Sequence, residues 1–253
     1  MSAPERFAEW LTAHEHEDPV YGWVYHYHPR SDAHSVALCT LILKDLLRAC
    51  PALAKHGRAK RIVYGINTKH IFPNGKKKTL DLAIGTTKKI KERARFANTI
   101  YSGEINRVLI SCEAKTVMTE HGKSQPRVFD ELGSSHEIVH QGDRKAIAAG
   151  VTVVNIASTF VSPLRQKSSK LHVSKHNQPR AAERMVNHLR GLPIRDTLDG
   201  VGFDAYTTVV VDCDNQTPAL LWTDPPAPQP GDRDHYETFI ARLSDAYSSR
   251  FGS

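Results

Sequence analysis

The tripeptide Glu113-Ala114-Lys115 closes the run RVLISCEAK (Arg107 to Lys115), and Asp81 stands within TLDLAIG (Thr79 to Gly85). Both runs have the apolar and β-branched content of strands, and along a strand alternate side chains point to opposite faces. In the first run Val108, Ile110, Cys112 and Ala114 share one face, and Leu109, Ser111, Glu113 and Lys115 share the other. In the second, Leu80, Leu82 and Ile84 form the apolar face and leave Asp81 and Ala83 opposite. If the strands are neighbours, two carboxylates and an ammonium converge.

Two carboxylates at that spacing suit a hard divalent cation, because magnesium takes oxygen ligands and is held by one or two carboxylates together with water and substrate phosphate. Such an ion polarises a scissile phosphate, lowers the pKa of a bound water and offsets charge on the leaving oxygen. The Lys115 ammonium would orient the attacking water or stabilise the phosphate oxygens in the transition state. These residue types cover the needs of phosphodiester hydrolysis. A bare Asp with Glu-x-Lys also arises as an interstrand salt bridge, so the elements around the three residues carry the argument.

Ser35 is the expected N-cap of a mostly apolar helix reaching about Ala49, with Pro51 as its stop signal. Arg61 to Asn67 and Thr79 to Gly85 form a hairpin through the turn Pro73-Asn74-Gly75. A basic, helix-prone stretch, Lys88 to Arg95, precedes the third strand, Arg107 to Lys115. A helix within Ser124 to Ile138 and a buried strand at Val151 to Ala157, flanked by the breaker Gly150, complete the order helix, three strands, helix, strand. Beyond it, Arg180 to Leu189 reads as a short helix and Tyr206 to Cys213 as a strand. Thr217 to Gly231 holds five prolines and reads as an irregular connection. Tyr236, Phe239, Ile240, Leu243 and Tyr247 recur at helical spacing.

With this element order the sequence resembles the PD-(D/E)XK nuclease superfamily, whose pattern is an acid on one strand and Glu-x-Lys on the next. The match is the Asp in TLDLAIG and Glu113-Ala114-Lys115 in ISCEAK, over roughly Ser35 to Ala157, with Leu80 where the name-giving motif has Pro. The resemblance implies Asp81 and Glu113 as ligands of Mg2+, with Mn2+ as a substitute. It also implies Lys115 as the catalytic lysine and the main-chain carbonyl of Ala114 as a further ligand. Some members place an acid on the helix before the three strands, which makes Asp45 a candidate ligand; the alternative for Asp45 is a pair with Lys44 or Arg48. The implied fold is α/β, a central mixed sheet flanked by helices with a restriction-endonuclease-like core. One domain, 1–253, would hold that core at about 35–157 and a C-terminal elaboration at about 158–253. Within the superfamily, a chain of this size with no helicase motif and no P-loop is most similar to a type II restriction endonuclease. Such enzymes cut double-stranded DNA as homodimers, whose two-fold symmetry matches a palindromic site. The alternatives are a repair or junction-resolving nuclease using the same residues, and a catalytically silent nucleic-acid-binding protein.

The charge supports a polyanionic partner: 34 Lys+Arg against 27 Asp+Glu give a net charge of +7. The excess is uneven, with thirteen Lys/Arg and two acids from Lys55 to Arg95, and eight Lys/Arg and one acid from Arg165 to Arg195. Within the first stretch Lys76, Lys77, Lys78, Lys88 and Lys89 are the expected DNA contacts, joined by Arg30 from the segment Tyr25 to His34; a solvated basic face is the competing reading. Four widely spaced cysteines without a C-x-x-C pair argue against a zinc ribbon and a disulfide framework. No signal peptide is evident near Glu5, Arg6 and Glu9, and no apolar run is long enough to span a bilayer, so a cytoplasmic protein without a membrane partner is expected.

Three further groups have chemistry in them. His26 and His28, in the segment Tyr25 to His34, would share a face if extended; one local segment seldom supplies a full zinc site, and the expected reading is a polar loop beside the groove whose Arg30 and histidines touch DNA or phosphate. Asp212 and Asp214 form an Asp-x-Asp that would make a rival metal site, although no Gly-rich phosphate loop precedes it, and two acids closing a strand into the turn Asn215-Gln216-Thr217 suffice to explain it. Gln125, Arg127 and Glu131 either face the groove or cover an exposed helix surface.

Overall fold

Nine consecutive buried residues, Ile147 to Asn155, need a strand covered on both faces. They have one in the computed structural model of the chain, which describes residues 1–87, 90–175 and 178–252. In chain order the elements begin with α1 (Ala3–Ala13), β1 (His16–Glu17), β2 (Val24–Tyr25), α2 (Ala33–Ala49) and α3 (Pro51–Arg58). The strands β3 (Ile62–Ile71), β4 (Lys77–Thr86), β5 (Ile90–Phe96), β6 (Ile100–Gly103) and β7 (Arg107–Val117) follow. Next come α4 (His121–Gly142), β8 (Ile147–Asn155), β9 (Thr159–Phe160) and β10 (Ser174–Lys175). The chain ends with α5 (Gln178–Leu189), β11 (Ala205–Asp212), β12 (Leu220–Leu221) and α6 (Tyr236–Phe251).

Eight of these strands form one mixed sheet in the order β12-β11-β8-β7-β4-β3-β6-β5. β4 runs antiparallel to both its neighbours, β3 and β7, whereas β7, β8 and β11 run parallel. Parallel neighbours need a crossover, and α4 supplies it between β7 and β8, as α5 does between β8 and β11. The apolar side chains divide into two layers. Phe7 and Leu11 of α1, Leu38 and Ile42 of α2, Leu53 of α3 and Phe239 and Leu243 of α6 cover one face. Val128, Leu132 and Val139 of α4 and Met185 and Leu189 of α5 cover the other. The structure is thus α/β, with a central mixed sheet flanked by helices.

Several elements differ from expectation. α2 starts two residues before Ser35, whose Oγ donates to the Asp32 carbonyl (2.9 Å) rather than capping the helix. Pro51 ends α2 but also opens α3, since a proline's missing N–H costs nothing in a first helical turn. Of the stretch expected as a helix from Lys88 to Arg95, Lys88 and Lys89 lie outside the described residues, and the rest belongs to the edge strand β5. β8 begins before Gly150, which is strand interior rather than a breaker. A Cβ there would lie 2.9 Å from the Tyr206 ring and 3.1 Å from that of Phe203, so this close packing needs glycine. α1, not foreseen, docks by Phe7 and Leu11. All four cysteines are free and buried.

Candidate active site

β4 and β7 pair only from Thr86↔Arg107 to Leu82↔Cys112. Beyond that point β4 keeps its pairing with β3 as far as Lys77, and β7 keeps its pairing with β8 as far as Val117. The sheet therefore forks, and Asp81 and Glu113 are the first residues past the last rung on either side. The Leu82↔Cys112 register would set Ala114 opposite Leu80. Instead the Ala114 N–H donates to Asp81 Oδ2 at 2.8 Å, so a side chain takes over where the ladder stops. Across β4, Asn67 occupies the register position facing Asp81, with a left-handed φ of 49°, and its amide donates to Asp32 Oδ2 (2.9 Å).

The fork also changes which residues share a face. Leu82 and Ile84 pack with α2 as expected, but Leu80 turns to the α4 side, joining Ala83. In β7 a bulge opposite Ile84 and Gly85 sends Val108 to the α4 side and Leu109 to the α2 side, the reverse of strict alternation. Gly85 permits the bulge, because a Cβ there would sit 2.1 Å from the Arg107 carbonyl oxygen. From Ile110 onward alternation resumes, and Glu113 and Lys115 emerge toward α4.

Glu113 is the hub of the cluster, 6% exposed. Lys115 Nζ lies 2.8 Å from its Oε1, and Lys78 Nζ lies 3.1 Å from its Oε2. Ser135 Oγ of α4 also donates to Oε2, at 3.2 Å. Lys115 has a second anion, Glu131 of α4, at 3.1 Å. Lys78, Glu131 and Ser135 are the members that sequence reasoning does not assign to the site. The run of lysines suggests Lys78 for the phosphate backbone, but its side chain is turned inward, 16% exposed. Between the groove and an exposed helix surface, the structure puts Glu131 at the site, on Lys115.

Burial pushes the Asp81 carboxyl up from its ordinary value, and the neighbouring Glu113 charge pushes it further, against the Ala114 N–H and the two lysines. Burial would raise Glu113 as well, but Lys115 and Lys78 outweigh it and hold the carboxyl below the usual range. Lys115 is the mirror case: burial would depress it, and Glu113 and Glu131 raise it. The two acids are thereby set apart. One is stabilised as a carboxylate by ammonium groups, and the other is short of positive charge.

The remaining sequence candidates lie elsewhere or play other parts. Asp45 does not join the cluster. It accepts from Arg6 (2.6 Å), the Ala3 N–H (2.6 Å) and Tyr236 Oη (3.0 Å), with Arg48 at 3.8 Å, and so anchors α1 and α6 to α2. Arg30, Lys76 and Lys77 are exposed, and Lys76 Nζ donates to Gln141 Oε1 (2.6 Å). Lys88 and Lys89 fall outside the described residues. Asp214 Oδ1 accepts from the N–H groups of Gln216 and Thr217 (both 2.8 Å), closing the expected turn. His26 and His28 meet two histidines not foreseen: His26 Nδ1 is 3.2 Å from the His14 carbonyl oxygen, and the His28 ring is 5.6 Å from that of His16.

Among the described residues no group of three or more His, Cys, Asp and Glu side chains is arranged to hold a metal ion. The pair Asp81 and Glu113 meets a looser requirement, that of an ion which draws most of its ligands from water and phosphate. Both are oxygen donors on adjoining strands at a fork, and Asp81 lacks a cationic partner within ion-pair distance among the described residues. The donor set fits magnesium on condition that Glu113 exchanges an ammonium for the ion. The Ala114 main chain stands against Asp81 through its N–H. Compared with family models, curated proteins and solved structures, the chain matches none of them. Among the described residues no helix is long and apolar enough to cross a membrane.

Proposed function

We propose that the chain is a magnesium-dependent DNA endonuclease of the PD-(D/E)XK kind, most like a type II restriction enzyme. One observation carries the reading: an acid on β4 and Glu-x-Lys on β7 converge where those two strands part. The surrounding order supports it, since a helix (α2), three antiparallel neighbours (β3, β4, β7), a crossover helix (α4) and a parallel strand (β8) follow one another as in that core. β5 and β6 are then an insertion between its second and third strands, and β11 and β12 extend the same sheet, with α6 packed on one face of it.

In this reading Asp81 and Glu113 hold the ion, which when bound supplies a polarised phosphate and an acidified water. Lys115, fixed between Glu113 and Glu131, aims its ammonium at the phosphate oxygens as charge builds on them, an interaction worth more in a partly buried site than in water. Asp81, poor in positive charge, keeps an attraction for a cation that Glu113 alone would lack. Lys76 and Lys77, at the tip of the hairpin that carries Asp81, and Arg30 meet the DNA backbone. A homodimer would present two such sites to the two strands.

A second reading is favoured by the two ammonium groups on Glu113: a silent nucleic-acid-binding protein in which the cluster is a buried salt-bridge network. Incubation of the protein with phage or plasmid DNA and Mg2+ separates the readings. Discrete fragments are expected for a restriction enzyme, preference for branched DNA would make it a resolvase, and no cleavage under any divalent ion would leave the silent binder.

A further inference from the structure

The two lysines on Glu113 are not equivalent. Lys115 has a second carboxylate, Glu131, at 3.1 Å, so it stays paired if Glu113 is engaged elsewhere. Lys78 has Glu113 alone within ion-pair distance among the described residues. It also approaches from the opposite prong of the fork: β4 delivers Lys78 and Asp81, while β7 delivers Glu113 and Lys115. The ammonium of Lys78 thus bridges the fork by meeting the one carboxylate oxygen that Lys115 does not hold, Oε2.

Glu113 already holds one ammonium on each carboxylate oxygen, and a divalent ion added beside both would crowd like charges in a partly buried site, so the ammonium with no second carboxylate is the one to leave. We infer that Lys78 is the placeholder for the divalent cation: it occupies Glu113 Oε2 in the metal-free protein, and metal binding releases it from Glu113. The inference rests on the nuclease reading and adds a residue to it. No proton moves and no bond is made or broken in the exchange; one cation replaces another on Glu113. The freed ammonium, on the strand that carries Asp81 and beside the exposed Lys77, then lies on the path of a nucleic-acid backbone. A positive charge held inside the protein before metal binding becomes one available to phosphate afterwards, which couples metal occupancy to DNA affinity.

The test uses the intact chain. Lysines are acetylated with a soluble N-hydroxysuccinimide ester, with and without saturating Mg2+, and peptide mass spectrometry reads Lys78 and Lys115 separately. Labelling of Lys78 is expected to rise several-fold with Mg2+, while Lys115, still held by Glu131, stays protected. In parallel, Mn2+ titrations compare the wild type with Lys78→Met and Lys78→Arg, folding being verified by thermal melts. Lys78→Met should bind Mn2+ about tenfold more tightly, a modest figure for removing a unit charge near a partly buried cation site. Lys78→Arg, which keeps a cation on Glu113, should bind no more tightly than the wild type. Mn2+ binding to the wild type with Lys78 still protected, or with no gain in Lys78→Met, overturns the placeholder and leaves the metal site standing. Failure of both the wild type and Lys78→Met to bind Mn2+ overturns the metal-dependent reading and the placeholder with it.

Discussion

Lys115→Met separates the catalytic reading from the salt-bridge reading most sharply, because the structure sets different sizes for the two effects. The substitution keeps the aliphatic stem and removes the ammonium. Were Lys115 the sole partner of Glu113, its loss would strand a buried carboxylate, at a cost of about 3–5 kcal/mol. It is not the sole partner: Glu113 retains Lys78 at 3.1 Å and Ser135 at 3.2 Å, and Glu131 is solvated enough, at 43% exposure, to lose its partner cheaply. What remains is the loss of one partly exposed pair, about 1 kcal/mol, which for a chain of this size lowers Tm by roughly 2–4 °C. A group that aims positive charge at developing phosphate charge is worth more to the chemical step, on the order of a hundred- to a thousandfold in rate. Thermal melts and single-turnover cleavage on the same preparation read both quantities. A variant that melts several degrees lower and cleaves at the wild-type rate would refute the catalytic role and leave Lys115 as a structural partner.

The other predictions follow from the same geometry. Asp81→Asn or Glu113→Gln should abolish cleavage while DNA binding, read by filter binding without metal, persists; full activity in either would remove that residue from the site. Neutralising Lys76 and Lys77 should lower the slope of log affinity against log salt by about 0.9 for each phosphate they neutralise, and an unchanged slope would put them on a solvated face. Asp45→Ala, which leaves Arg6 without its carboxylate, should cost about 3–5 kcal/mol in urea unfolding but leave Mn2+ affinity unchanged; weakened Mn2+ binding would make it a ligand after all. His136, 2% exposed, is depressed to about 4, first by burial and then by His140. The folded protein therefore refuses a proton that the unfolded chain accepts. The stability it contributes is full above about pH 6.5 and is lost as pH falls toward 4, by roughly 3 kcal/mol. His136→Gln should lose that much less over the same window, and an undiminished slope in pH-dependent unfolding would assign it to other groups.

Much of the site could be read from the chain because a strand has a side-chain period of two. Glu113 and Lys115, two residues apart in β7, share a face wherever that strand is placed, and the apolar runs mark β3, β4, β7 and β8 by their content alone. The helical spacing of Phe239, Ile240, Leu243 and Tyr247 likewise announces the docked face of α6. Tertiary structure decided what depends on pairing. The face of Lys78 could not be read from its position in a run of lysines, since it follows from the turn of β4 at Asp81, where the ladder to β7 ends and Asn67 takes a left-handed φ. The exchange of Val108 and Leu109 comes from a bulge that exists only once β4 and β7 are in register. Lys88 to Arg95 has helical propensity, yet its described part, from Ile90, is strand, because β6 offers it an open edge and sheet pairing outweighs so weak a preference. Asp45, Arg6 and Tyr236 meet from three elements far apart in sequence, and Glu131 meets Lys115 only because α4 crosses back over the fork. Local period and composition reside in the chain, whereas the partner of a charge is set by which strands and helices the fold makes neighbours.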